Sequence, residues 1–147
     1  MMRRGFSLCA MALLAACAGP PVSPTAGPNP TPANPANAGQ IFGKACVQQL
    51  PNFRGTPGAI ANDPFTQRQS SGIYYHNAEN LSVRLTSTNR GPACSVTFGT
   101  NVARETAVQA FGQAASATAP GAQADIALDV LRGDDGLLYF TATTRAQ

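Results

Sequence analysis

The chain reads as an α+β domain. It is expected to hold about five antiparallel strands in one sheet, with two main helices on one face, in the order α-βββ-α-ββ, and one disulfide. Three observations predict this. Apolar residues recur at helical spacing around Phe42 and again around Phe111. Between and after those stretches they alternate with period two, as in half-buried strands. Cys46 and Cys94 each fall on the apolar side of their own element, so helix and sheet aim a sulfur at one core.

Taken in order, Ile41, Phe42, Ala45, Cys46 and Leu50 share one side of a helix over about residues 40–50, which Pro51 stops. Thr56-Pro57-Gly58-Ala59-Ile60 predicts a short second helix with Thr56 as cap and Pro57 in the first turn. Phe65 to Gly72 is polar and reads as a connection with room for a short strand. Ile73-Tyr74-Tyr75-His76 is a strand, and Asn77 to Asn80 is turn-rich. Leu81, Val83 and Leu85 alternate with Ser82, Arg84 and Thr86, which predicts a strand with one wet face. Asn89-Arg90-Gly91-Pro92 is a turn, and Cys94, Val96 and Phe98 mark the inward side of the next strand. Asn101 is placed to cap a helix from Val102, with Glu105 in its first turns and Ala103, Ala107, Ala110, Phe111 and Ala114 along one side. Ile126, Leu128 and Val130 alternate with Asp125, Ala127 and Asp129. Gly133-Asp134-Asp135-Gly136 then turns the chain into a last strand carrying Leu138, Phe140 and Ala142.

The amino-terminal part has a different texture. Arg3 and Arg4 precede an uncharged apolar run from Phe6 to Ala16, the layout of a secretory leader over residues 1–16. The run is too short to span a bilayer, which takes roughly 20 apolar residues. It ends in Leu14-Ala15-Ala16-Cys17. This stretch resembles the lipobox of bacterial lipoproteins. The resemblance covers the leader and the first mature residue. It implies diacylglyceryl transfer to the Cys17 thiol, cleavage before Cys17 and acylation of the new amino terminus. Ala18 in place of Asp implies sorting to the outer membrane of a Gram-negative cell. Ala16-Cys17-Ala18 also fits a small-x-small cleavage site, so plain secretion is the competing reading. Two or more acyl chains anchor stably where one binds only marginally.

Residues 17–38 then read as a lipidated cysteine on a tether, with the α+β domain at 39–147. Ala18 to Ala38 holds seven of the twelve prolines, no charge and almost no large apolar side chain. Such a stretch buries too little surface to order itself. At about 3.1 Å per residue, some 20 residues extend to roughly 60 Å. A spacer that clears the lipid surface explains it better than filler of arbitrary length, because proline stiffens as well as lengthens. Binding to cell-wall polymer is a further reading of the stretch, and nothing in it demonstrates that.

Of 147 residues, 10 are basic and 7 acidic. Removing Arg3 and Arg4 with the leader leaves 8 against 7, close to neutral. That balance provides no one-faced basic patch, so no nucleic-acid partner is expected. Cys9 leaves with the leader and Cys17 is the anchor. Cys46 and Cys94 remain as an even pair in an oxidising compartment and read as a disulfide. A reactive thiol or a metal site are the alternatives, but two cysteines and one histidine lack ligand spacing.

No catalytic constellation emerges. His76 is the single histidine and has no evident partner for general base work. Ser70 and Ser71 lie near it without a G-x-S-x-G elbow. Asp134 and Asp135 sit in a turn that lacks the alternating oxygen ligands of a Ca²⁺ loop. Asp125 and Asp129 fall on one outer strand face, as a solvated pair does. No cofactor, metal or enzymatic activity is expected. An exposed aromatic and arginine row on a sheet has the composition of a protein interface. Tyr74, Arg84, Thr86, Thr97 and Tyr139 are the residues expected to form it, although ordinary cross-strand pairing on a wet face explains the same pattern. The expected function is that of a non-catalytic outer-membrane lipoprotein. It is anchored through Cys17, with its domain in the periplasm or at the cell surface, and touches an envelope protein through the sheet. The alternatives are a periplasmic inhibitor or assembly accessory of another protein, or a small envelope hydrolase.

Overall fold

The computed structural model describes residues 30–67 and 71–146. The expected leader 1–16, Cys17 and the tether up to residue 29 lie outside the described residues. The elements are α1 (Pro35–Ala45), α2 (Thr56–Ala59), β1 (Phe65–Gln67), β2 (Ile73–His76), β3 (Leu81–Thr88), β4 (Gly91–Thr100), α3 (Arg104–Thr118), β5 (Ile126–Arg132) and β6 (Leu138–Arg145). A 3₁₀ turn over Val47–Gln49 follows α1.

The strands form one six-stranded sheet in the order β1-β2-β3-β4-β6-β5, and every neighbouring pair is antiparallel. The α+β class and the disulfide are as expected, and the sixth strand is the short β1. Helix α3 carries the chain from β4 past one strand position to β5, and β6 then returns into the gap. The β5–β6 hairpin therefore joins the sheet through its second strand.

Both main helices cover one face. Leu81 and Val83 of β3, Val96 and Phe98 of β4, and Phe140 and Ala142 of β6 point into that face and are buried. Phe98 and Phe140 sit opposite each other in register and stack, with ring centroids 5.0 Å apart. Phe111 of α3 stacks on Phe98 at 5.5 Å, and Phe42 of α1 tilts against Phe111 at 5.5 Å. Each such pair adds about 0.5–1.5 kcal/mol beyond the area it buries. Cys46, at the end of α1, is bonded to Cys94 of β4 beneath this layer, with Cα atoms 5.4 Å apart.

Three helix starts differ from the sequence expectation. Thr56 is the first residue of α2 and not its cap, and its hydroxyl donates to the Ala45 carbonyl at 2.6 Å. α1 begins at Pro35, inside the stretch assigned to the tether, so Gly39 is mid-helix. Asn34 caps it, its Oδ1 accepting from the Ala36 N–H at 2.9 Å, and Pro35 takes the first helical position, where no N–H is needed. Upstream of the cap, Thr31 pairs with Glu79, the Ala33 N–H donates to the Gly99 carbonyl, and Ala33 is buried. Residues 31–38 thus belong to the fold. α3 begins at Arg104 and not at Val102, and Asn101 does not cap it. β4 stays in the sheet through Thr100, paired with Leu138, so the chain needs Asn101 to Ala103 to turn away. The Thr100 hydroxyl accepts from the Val102 N–H within that turn.

α1 and α3 cross closely because α1 offers glycine at the crossing. A Cβ on Gly39 would strike the Phe111 carbonyl oxygen and come within 3.0 Å of the Ala114 Cβ. One on Gly43 would meet the Thr118 Cβ at 2.7 Å.

Candidate functional site

The face of the sheet away from α1 and α3 is the candidate site. Register assigns its residues. Ile73, Arg84, Ser95 and Thr143 lie in one row across β2, β3, β4 and β6, and Tyr75, Ser82, Thr97 and Thr141 lie in the next. Arg84 and Thr86 are exposed, and Ser95, Thr97, Thr141 and Thr143 are half-buried. The Thr97 and Thr141 hydroxyls hydrogen-bond across β4 and β6 at 3.0 Å. Among the described residues, this surface carries large apolar side chains at its margins alone, so it is a threonine- and serine-rich plane with Arg84 near its centre and Arg145 at the end of β6.

Four of the five residues expected on this face are there: Arg84, Thr86, Thr97 and Tyr139. Tyr74 is not. It sits opposite Val83 and packs against the core on the helix side. Tyr75 takes the outer position, opposite Ser82, but is only 8% exposed. The adjacent tyrosines split as alternation demands, and the pairing with β3 decides which one turns inward.

Tyr139 has an internal task. Its ring lies over backbone that carries no side chain. A Cβ on Gly99 would come within 2.7 Å of the ring, and one on Gly133 within 2.5 Å. Its hydroxyl donates to the Asp135 carboxylate and accepts from the Asn80 amide at 2.9 Å. Burial, and then the hydrogen bond to Asp135, push the phenol above its ordinary value near 10. Asn80 is buried at the entry to β3, and Asp135 also accepts from the Leu137 N–H at 3.0 Å. Tyr139 therefore latches the β5–β6 turn to the β2–β3 turn across the end of β4. Asn80, Gly99, Gly133 and Asp135 are the members that sequence reasoning missed. Their one linear sign was the paired glycines flanking the two aspartates.

His76 is 8% exposed and points to the helix side. Its Nδ1 accepts from the Ala78 and Glu79 N–H groups at 3.2 and 2.8 Å, and Phe65 meets its ring edge-on at 5.2 Å. The imidazole thus caps the β2–β3 turn. Asp129 is exposed on the outer face of β5, and Asp125 is exposed just before the strand begins. Among the described residues, no group of three or more His, Cys, Asp or Glu side chains is placed to hold a metal ion. Among the described residues, no helix is long and apolar enough to cross a membrane. The chain matches no protein-family model, no curated protein and no solved structure, so these residues alone carry its functional reading.

Proposed function

We propose that this chain is an outer-membrane lipoprotein, fixed by acyl groups on Cys17, whose domain binds an envelope protein through the open sheet face. The domain itself is non-catalytic. One observation carries the binding half: both main helices pack on the same face, so Arg84, Thr86, Thr97 and their neighbours stand on a broad sheet surface under neither helix. The anchoring half rests on Leu14-Ala15-Ala16-Cys17 after a basic, apolar leader. The fold takes in the chain from Thr31 onward, so the tether is shorter than composition alone implies. Residues 18–30 extend to roughly 40 Å at most. In this reading the tether joins the fold at Thr31, beside the turn at Ala78 and Glu79.

Growing cells on labelled palmitate tests the anchor. Label is expected on the wild-type chain and none on Cys17→Ser, which should leave the membrane fraction. An unlabelled wild type would overturn the lipoprotein reading. A photo-crosslinking residue at Thr86 is expected to trap one envelope protein of defined mass that Arg84→Glu no longer traps. Loss of neither adduct nor mass with Arg84→Glu would remove the sheet face from the reading.

A further inference from the structure

We propose that two copies of this chain pair through β5, strand against strand, into one continuous twelve-stranded sheet. Among the described residues, β5 is the long free edge. It runs seven residues, Ile126–Arg132, and hydrogen-bonds on one side with β6. The opposite edge, β1, has three residues. An open edge is a template for another strand, and proteins that stay single blunt it with charged side chains, lysine above all, with proline, with a bulge or with a cover. β5 has no lysine or proline, and its two charges are Asp129 on the open-face side and Arg132 at its end. Its register with β6 runs without a break from Ile126 to Arg132, and six of its seven residues are exposed.

Its side chains invite burial. Ile126 and Leu128 point to the helix side yet remain 44% and 38% exposed, because α3 stops short of covering them. Between them and α3 runs an apolar groove of about 250 Å³, lined by Val47, Val108, Phe111 and Ala115. On the other face Leu131 is 73% exposed.

The sequence of β5 selects a second copy as occupant and fixes the register. Two copies meeting edge to edge in antiparallel fashion are related by a two-fold axis normal to the sheet, so one residue lies opposite its own copy. Centring on Asp129 gives the longest overlap but sets carboxylate against carboxylate. Centring on Ala127 sets Asp125 opposite the other copy's Asp129, twice. Like charges directly opposite destabilise a pair. Centring on Val130 avoids both but sets Arg132 against Leu128. Centring on Leu128 also avoids both, and it pairs apolar side chains instead. Asp129 then faces Ala127 and Asp125 faces Leu131 on the outer side. On the helix side Leu128 meets Leu128 and Ile126 meets Val130, an apolar ladder that closes the free side of each groove. Both helix layers fall on one side of the joined sheet and both open faces on the other.

The test uses the full chain carrying Cys9→Ser and Cys17→Ser, which makes it independent of the anchor. Cys46 and Cys94 are bonded and buried, so an added thiol is the reactive one. Equilibrium sedimentation at micromolar concentration is expected to give twice the chain mass, and Leu128→Lys, at an exposed site, is expected to return it to one chain with an unchanged circular dichroism spectrum. A short bismaleimide should link Leu128→Cys chains into dimers far more than Ala127→Cys or Asp129→Cys chains. A wild-type mass of one chain, or a dimer that Leu128→Lys leaves intact, overturns the proposal. Strongest linkage at position 127 or 129 overturns the register.

Discussion

Tyr139 shows how one side chain on an apparently free surface can be committed inward. The sequence assigns it to the outer face by alternation with Phe140, and that assignment holds. What alternation does not reveal is that Asn80, Gly99, Gly133 and Asp135 converge on it from three parts of the chain. Removing the hydroxyl with Tyr139→Phe takes one acceptor from the buried Asn80 amide, at a cost of about 1–2 kcal/mol, readable as a lower urea midpoint. The pH dependence has a definite sign. The folded state holds the phenol proton more tightly than the unfolded chain does. Its contribution is therefore complete below the ordinary value near 10 and fades as pH rises through the raised one. Urea titrations below and above pH 10 should show this loss in the wild type and not in Tyr139→Phe. Tyr74 carries the complementary lesson, since adjacent aromatics must split between faces but only the partner strand says which goes where.

At the scale of elements, the crossing of α1 on α3 depends on what α1 lacks. Gly39 and Gly43 bring its backbone against Phe111, Ala114 and Thr118. Gly39→Val forces the helices apart and should cost about 1–3 kcal/mol or more, seen as a lowered thermal midpoint, whereas the same change at Gly112, where a Cβ meets nothing within 4 Å, should cost far less. Proline density hid the start of this helix from the sequence reading, because Pro35 looks like part of a tether while serving as a first helical residue. Asn34 before Pro35 was the legible signal. The strands were more readable: β3, β4, β5 and β6 each follow their alternation, since one face of each pair meets the core. β1, at three residues, is too short to carry a period.

For the whole molecule, class and covalent closure were readable from the sequence and strand neighbours were not. Alternation tells which residues point inward, not that β6 would insert between β4 and β5. The Cys46–Cys94 bond spans a sequence separation of 48 and ties the end of α1 to the middle of the sheet. Replacing both cysteines with alanine should lower unfolding free energy by about 4 kcal/mol, measured by urea titration of oxidised chain against variant. That is a large share of what a domain of this size possesses. The bond also has a kinetic meaning. Neither sulfur touches solvent, so a thiol in the surroundings reaches them only when α1 lifts from the sheet. Once such a reagent is abundant, adding more of it no longer hastens the reaction, and the chain's own breathing sets the pace. The protein thus carries a stopwatch sealed inside it, started by every excursion from its closed form.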